Sequence, residues 1–245
     1  SRAGHSGGAA GVARGQPRRM TPHRLALYWA PERHDPLHAR GSAWLGRDAV
    51  SGAALAQPAV DGIDLAHATA DARGYGLHAT LKPPFRLRHG YAAARADAAA
   101  LAARTAPFAL PPLAVHDLDG FLALRETTPC PALHALADAC VTALDDHRVP
   151  PDAAEIARRR PERLTETQRA HLDRWGYPYV FGEWRFHVTL TRRLSPAEKA
   201  VLMPAVTAFL GDAPARPRRV DAISLFIQPA PGAPFTIAER LPLRG

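Results

Sequence analysis

Two tetrapeptides hold the residues best suited to chemistry: His78-Ala79-Thr80-Leu81 and His187-Val188-Thr189-Leu190, 109 positions apart. Histidine titrates near neutral pH, so one imidazole can take a proton from water while a second, protonated, gives one to a leaving oxygen. Threonine hydroxyls can donate hydrogen bonds to non-bridging phosphoryl oxygens as charge builds on them. On a strand, side chains i and i+2 share a face. His78 and Thr80 therefore project together while Ala79 and Leu81 turn to the packed side, and His187 and Thr189 repeat this over Val188 and Leu190. Two such strands bring two imidazoles and two hydroxyls to one cleft. That set suits a phosphodiester, and neither a metal nor a cofactor is expected. The tetrapeptides leave open which histidine is the base.

The elements that must position these residues follow from periodicity. Arg24 to Ala30 alternates Leu25, Leu27 and Trp29 with Ala26 and Tyr28, a strand ended by Pro31. Tyr28 lies on the opposite face from the apolar set and is a candidate for the cleft. The first histidine motif sits on a strand over Leu77 to Leu81, stopped by Pro83-Pro84. Alanine-rich Tyr91 to Arg104 predicts a helix, followed by strand-like runs at Phe108 to Val115 and Gly120 to Leu124. Leu133, Leu136, Ala137, Cys140, Val141 and Leu144 have helical spacing. Residues 150–175 read as a polar helical connection with a capping-box-like Thr165-Glu166-Thr167-Gln168. After the second motif come a helix over Pro196 to Leu210, capped by Ser195, and a hairpin of Val220 to Gln228 with Pro234 to Leu241. This mixed order predicts an α+β fold with antiparallel sheets, each half carrying one motif.

Composition narrows the classes. The chain has 245 residues, enough for one large core, and 47% are hydrophobic. The formal charge of +8 favours anionic ligands, yet residues 1–20 supply four of those charges through Arg2, Arg14, Arg18 and Arg19. That segment is rich in Gly, Ala and Arg. It reads as a flexible basic tail, or as an over-extended reading frame whose start is Met20. The folded region is expected over 21–245. Cys130 and Cys140 form no zinc or redox spacing, which fits a reduced, cytoplasmic protein. No apolar run is long enough for a membrane span. A monomer is expected.

The paired motifs resemble those of the two-histidine (2H) phosphoesterase superfamily, which includes RNA 2′,3′-cyclic phosphodiesterases of the 2′-5′ ligase type. Longer strings resemble the branch named for association with phosphonate metabolism. These are Leu25-Ala26-Leu27-Tyr28-Trp29-Ala30-Pro31, Tyr75 through Phe85, Trp175-Gly176-Tyr177-Pro178-Tyr179-Val180 and Phe226-Ile227-Gln228-Pro229. The resemblance spans residues 22–243 or so and implies a bilobal fold, two antiparallel sheets around a central cleft with outer helices. It implies hydrolysis of a phosphodiester, often a cyclic one: a small phosphoribosyl cyclic phosphate, with an RNA 2′,3′-cyclic end or catalytically silent RNA binding as alternatives. By the same resemblance Arg192, two residues past the second motif's leucine, would hold phosphate, with Lys82 as a looser charge in the first half. Tyr75, Tyr177 and Tyr179 join Tyr28 as candidate ligand contacts. His34 and His38 have i, i+4 spacing but no third ligand, and Pro36 between them places both in a loop. Arg158-Arg159-Arg160 reads as a solvated helix face, with a substrate-phosphate contact as the lesser reading.

Overall fold

A computed structural model describes residues 21–245; the tail read at 1–20 lies outside the described residues. Strand β1 (Arg24–Trp29) sorts its side chains as the alternation requires. Leu25, Leu27 and Trp29 enter the main core, whereas Ala26 and Tyr28 face the other way and join a small cluster with Phe226 and Phe235. Helix α1 (Pro36–Leu45) follows and takes in His38, which the sequence reading placed in a loop. Pro36 occupies its first turn, where no intrahelical N–H is needed, and the Asp35 side chain caps it by accepting from the Leu37 N–H. His38 is therefore a buried helical residue, with Nε2 3.4 Å from Asp48 Oδ1.

Short helices α2 (Leu65–Ala68) and α3 (Ala70–Tyr75) lead into β2 (Ala79–Phe85). This strand does not stop at Pro83-Pro84. Beyond Ala79 one of its edges pairs with no strand, so prolines cost no ladder bond there. Next come α4 (Tyr91–Ala103), β3 (Phe108–Leu110), β4 (Leu113–Leu118), β5 (Phe121–Glu126) and α5 (Pro131–Ala143). The polar connection forms α6 (Ala153–Arg158) and α7 (Glu166–Trp175), the latter with the capping box of Thr165 and Gln168 in place. The chain closes with β6 (Val188–Arg193), α8 (Pro196–Leu210), β7 (Arg218–Val220) and the hairpin of β8 (Ala222–Gln228) and β9 (Thr236–Pro242). Ser195 and Glu198 form the capping box that starts α8.

The strands run antiparallel in the order β4-β5-β6-β2-β1-β8-β9, with β3 and β7 as a separate pair. Four strands carry the first histidine motif and three carry the second. The two halves meet at one register pair, Ala79 opposite Val188. Both residues are fully buried on the helix-covered face, together with Leu81 and Leu190. Helices α4 and α5 cover the β2 side, while α1 and α8 pack together over the β6 side. Two tryptophans tie the seam. Trp44 Nε1 donates to the Leu190 carbonyl at 3.1 Å and Trp184 Nε1 to the Thr80 carbonyl at 2.9 Å. Each satisfies a strand carbonyl near a junction that has only one ladder pair. The fold is α+β with antiparallel sheets, as the order of elements requires.

Candidate active site

Directly opposed strand residues project from the same face. The seam's one register pair, Ala79 with Val188, sets the two motifs side by side: His78 and His187 stand one residue before that pair, just ahead of their strands, and Thr80 and Thr189 one residue after it. The four side chains point away from the helices. Each histidine is held by the same local device. His78 Nδ1 lies 2.8 Å from the carbonyl of Gly76, and His187 Nδ1 lies 2.9 Å from the carbonyl of Arg185, in both cases two residues upstream. A carbonyl only accepts, so each Nδ1 carries the proton and each Nε2 is left with its lone pair for chemistry. Thr80 Oγ1 stands 3.3 Å from His78 Nε2.

Gly76 is needed where it stands. Its φ is +84°, and a Cβ there would come within 2.5 Å of the Ala49 Cβ. Aromatic rings surround the first imidazole. Tyr28 stacks on His78 with centroids 3.8 Å apart and planes 19° from parallel, while Phe226 and Tyr75 lie at 5.9 and 6.2 Å. Desolvation by this shell, helped by repulsion from His187, pushes His78 down to about 4. Burial also lowers His187, with Arg125 adding to the shift and Glu126 opposing it. The Tyr28 phenol is pushed up by its burial and stays neutral.

A cavity of about 500 Å³ opens beside the second motif, lined by Thr80, Phe121, Tyr177, Tyr179, His187 and Arg193. Tyr179 is 43% exposed at this site and meets Tyr177 edge-on. Tyr75 stacks on Phe235. The structure thus places Thr80, His187 and Tyr179 on one cavity, with His78 beside Thr80 and packed against Tyr28 and Tyr75, and Thr189 next along β6 from Val188.

Two expected substrate contacts are not brought there, and a bulge displaces each. In β2 the register against β1 slips between Tyr28–Thr80 and Leu27–Lys82, so Lys82 shares the core-facing side of Leu27. Its ammonium is buried, donates to the Val141 carbonyl at 2.9 Å and lies 3.7 Å from Asp145. Lys82 therefore caps the C-terminal turn of α5, and desolvation lowers it to about 8. In β6 the register against β5 slips between Thr189–Ala123 and Arg193–Phe121. Thr191 turns inward to accept the Leu122 N–H, and Arg192 swings out to grip Glu198 with both terminal nitrogens. Arg193 takes its place in the cavity, with Nη1 donating to the Asp119 carbonyl at 2.7 Å. Arg193 lies beyond the same bulge, so the two-residue alternation that places Thr189 does not by itself reach it. Trp184 and Phe121 were also missed as site-forming residues, having no motif of their own.

Among the described residues, no helix is long and apolar enough to cross a membrane and no cluster of side chains could hold a metal ion.

The chain is similar to the curated protein "Ribose 1,5-bisphosphate phosphokinase PhnN" of Janthinobacterium sp. (strain Marseille), 40% identical over 235 residues, 91% of this chain and 51% of that relative. It is also similar to the protein of the same name from Laribacter hongkongensis (strain HLHK9), 38% identical over 216 residues, 87% of this chain and 50% of that one. The chain spans about half the length of the curated relatives it matches. Among solved structures it is similar to E. coli LigT complexed with NADP+, at 18% identity and a TM-score of 0.44 over 92% of this chain and 99% of that one. A structure described as a phosphoesterase gives 17% identity and a TM-score of 0.42 over 91% and 99%. The model of the family described as "Protein of unknown function (DUF1045)" matches residues 80–236, from Thr80 of the first motif past the whole of the second. That is more than half of the chain, and the chain belongs to the DUF1045 family.

Proposed function

We propose that this chain is a phosphodiesterase that opens a small cyclic phosphate by acid–base catalysis between His78 and His187. The observation that carries this reading is the seam pair Ala79–Val188, which sets the two histidine motifs side by side while both Nε2 atoms stay unclaimed by the backbone. His78, desolvated and neutral at pH 7, serves as the base: its Nε2 takes a proton from water as the water oxygen attacks phosphorus. His187 is also lowered, by burial and by Arg125 against Glu126, and it takes up its proton when the negative charge of the bound phosphate favours it. Its protonated Nε2 gives that proton to the departing ring oxygen, leaving a phosphomonoester and a free hydroxyl. Thr80 and Thr189 donate to the non-bridging oxygens. Arg193 supplies a forked cation, and Tyr28 fixes the plane of the basic ring.

The substrate proposed is a phosphoribosyl cyclic phosphate. The resemblance to phosphonate-associated proteins supports it, as do relatives named for a ribose bisphosphate. Tyr177 and Tyr179 favour a second reading, since rings at a cavity can stack a base; this would suit an RNA 2′,3′-cyclic end. Separate His78→Ala and His187→Ala proteins test the chemistry on a panel of cyclic phosphates. Each should remain folded and lose nearly all hydrolysis, and full activity in either sinks the mechanism. Turnover of an oligonucleotide cyclic phosphate well above that of small sugars would select the RNA reading.

A further inference from the structure

A second cavity, of about 510 Å³, lies against the first-motif side of the cleft. Its lining brings Arg24, Arg86, Arg148, Arg158 and Arg159 together from three parts of the chain, with Glu155 as the one carboxylate among them. That carboxylate is already engaged by Arg86 at 2.9 Å and by the Asp152 N–H at 2.7 Å. Arg148 is tied to Asp145, and Arg24 bonds Gln228. Arg158 and Arg159 make no ion pair among the described residues. Arg86 and Arg148 are thus paired with carboxylates, whereas Arg24, Arg158 and Arg159 are not, and the space carries a net positive charge that favours an anion.

Position relates this space to the chemistry. Tyr75 lines it, and the Tyr75 ring stands 6.2 Å from that of His78. On the other flank the Arg159 guanidinium lies 4.7 Å over the Tyr177 ring, and Tyr177 lines the cavity of His187. The arginine space is therefore a neighbour of the reacting centre, offset from it by about one ring. We infer that it is a subsite for a second, uncyclised phosphate carried by the same substrate molecule. A phosphomonoester dianion matches it in charge, and guanidinium forks match it in shape. This rests on the phosphodiesterase reading and deepens it: the terminal phosphate of the sugar cyclic phosphate gains a binding place of its own, apart from the reacting centre.

The test compares ribose 1,2-cyclic phosphate with and without a 5-phosphate, on the wild-type protein and on Arg158→Gln/Arg159→Gln. The 5-phosphate should raise kcat/KM of the wild type by about tenfold or more, mostly through KM, and the double variant should bring that ratio close to one. Equal kcat/KM for the two sugars in the wild type, or an unchanged ratio in the variant, would overturn the subsite. If neither sugar is turned over, the phosphodiesterase reading fails instead, and calorimetry with ribose 5-phosphate judges the subsite alone. Binding weakened about tenfold by the substitutions supports it. Binding that is absent from the wild type, or unaffected by the substitutions, removes it. Arg158→Gln alone, at an exposed helix end, serves if the double variant does not fold.

Discussion

Replacing His78 by glutamine should flatten the acid side of the protein's stability profile. Folding lowers this imidazole from 6.5 to about 4, because Tyr28, Tyr75 and Phe226 strip water from it. As the pH falls, the unfolded chain therefore takes up the proton before the folded one does. The stability tied to the neutral ring is complete above about pH 6.5 and is lost progressively down to about pH 4. Each unit of separation is worth about 1.4 kcal/mol, so the wild type should lose about 2 kcal/mol through this group between about pH 8 and about pH 5. Glutamine keeps much of the ring's bulk and takes no proton, while the other histidines titrate in both proteins. Urea unfolding at the two pH values, with the wild-type loss set against that of His78→Gln, isolates the group. Parallel losses in the two proteins would show that the ring is not desolvated, and would remove the basis for naming His78 the base. The same shift places the acid limb of kcat/KM for the free enzyme closer to pH 4 than to pH 6.5.

Arg193→Gln should lower kcat/KM by about tenfold or more, the value of one charge-assisted hydrogen bond, whereas Arg192→Gln should leave it within about twofold. Steady-state kinetics of the pair decide which of the two arginines meets the substrate. Gly76→Ala forces a Cβ against Ala49 at positive φ and disturbs the carbonyl that orients His78. It should cost more than about 1 kcal/mol in chemical denaturation and lower kcat as well; a variant as active and stable as the wild type contradicts the role given to this carbonyl. Lys82→Met strands the Val141 carbonyl and should cost about 1–3 kcal/mol of stability. Once folded, that variant should keep its kcat/KM, and a large kinetic loss would return Lys82 to the substrate.

The parts legible in the sequence were those governed by local periodicity. Two-residue alternation placed His78 with Thr80 and set Tyr28 apart from Leu25 and Leu27, because a pleated strand leaves no other choice. Capping chemistry fixed the start of α8 at Ser195 and Pro196. The same chemistry at Asp35 and Pro36 was passed over, which hid α1 and the buried His38. Lys82 and Arg192 were misplaced because each lies beyond a bulge, and a bulge arises from pairing with a distant strand. Trp184 reaches the Thr80 carbonyl across 104 positions of sequence, a contact that no local pattern can announce. The arginine cavity was split in the same way, since Arg24, Arg86 and Arg158 meet only after the chain has folded.

The seam at Ala79 and Val188 has one more consequence. Because the two imidazoles rise from different halves, the gap between them is set by a single backbone pair and the Trp44 and Trp184 indoles, as the jaws of a caliper are set by one pivot. For the proposed activity, selection among phosphodiesters then begins as a measurement of length. The distance from attacking water to leaving oxygen must match a gauge that no side chain lining the cleft can adjust alone.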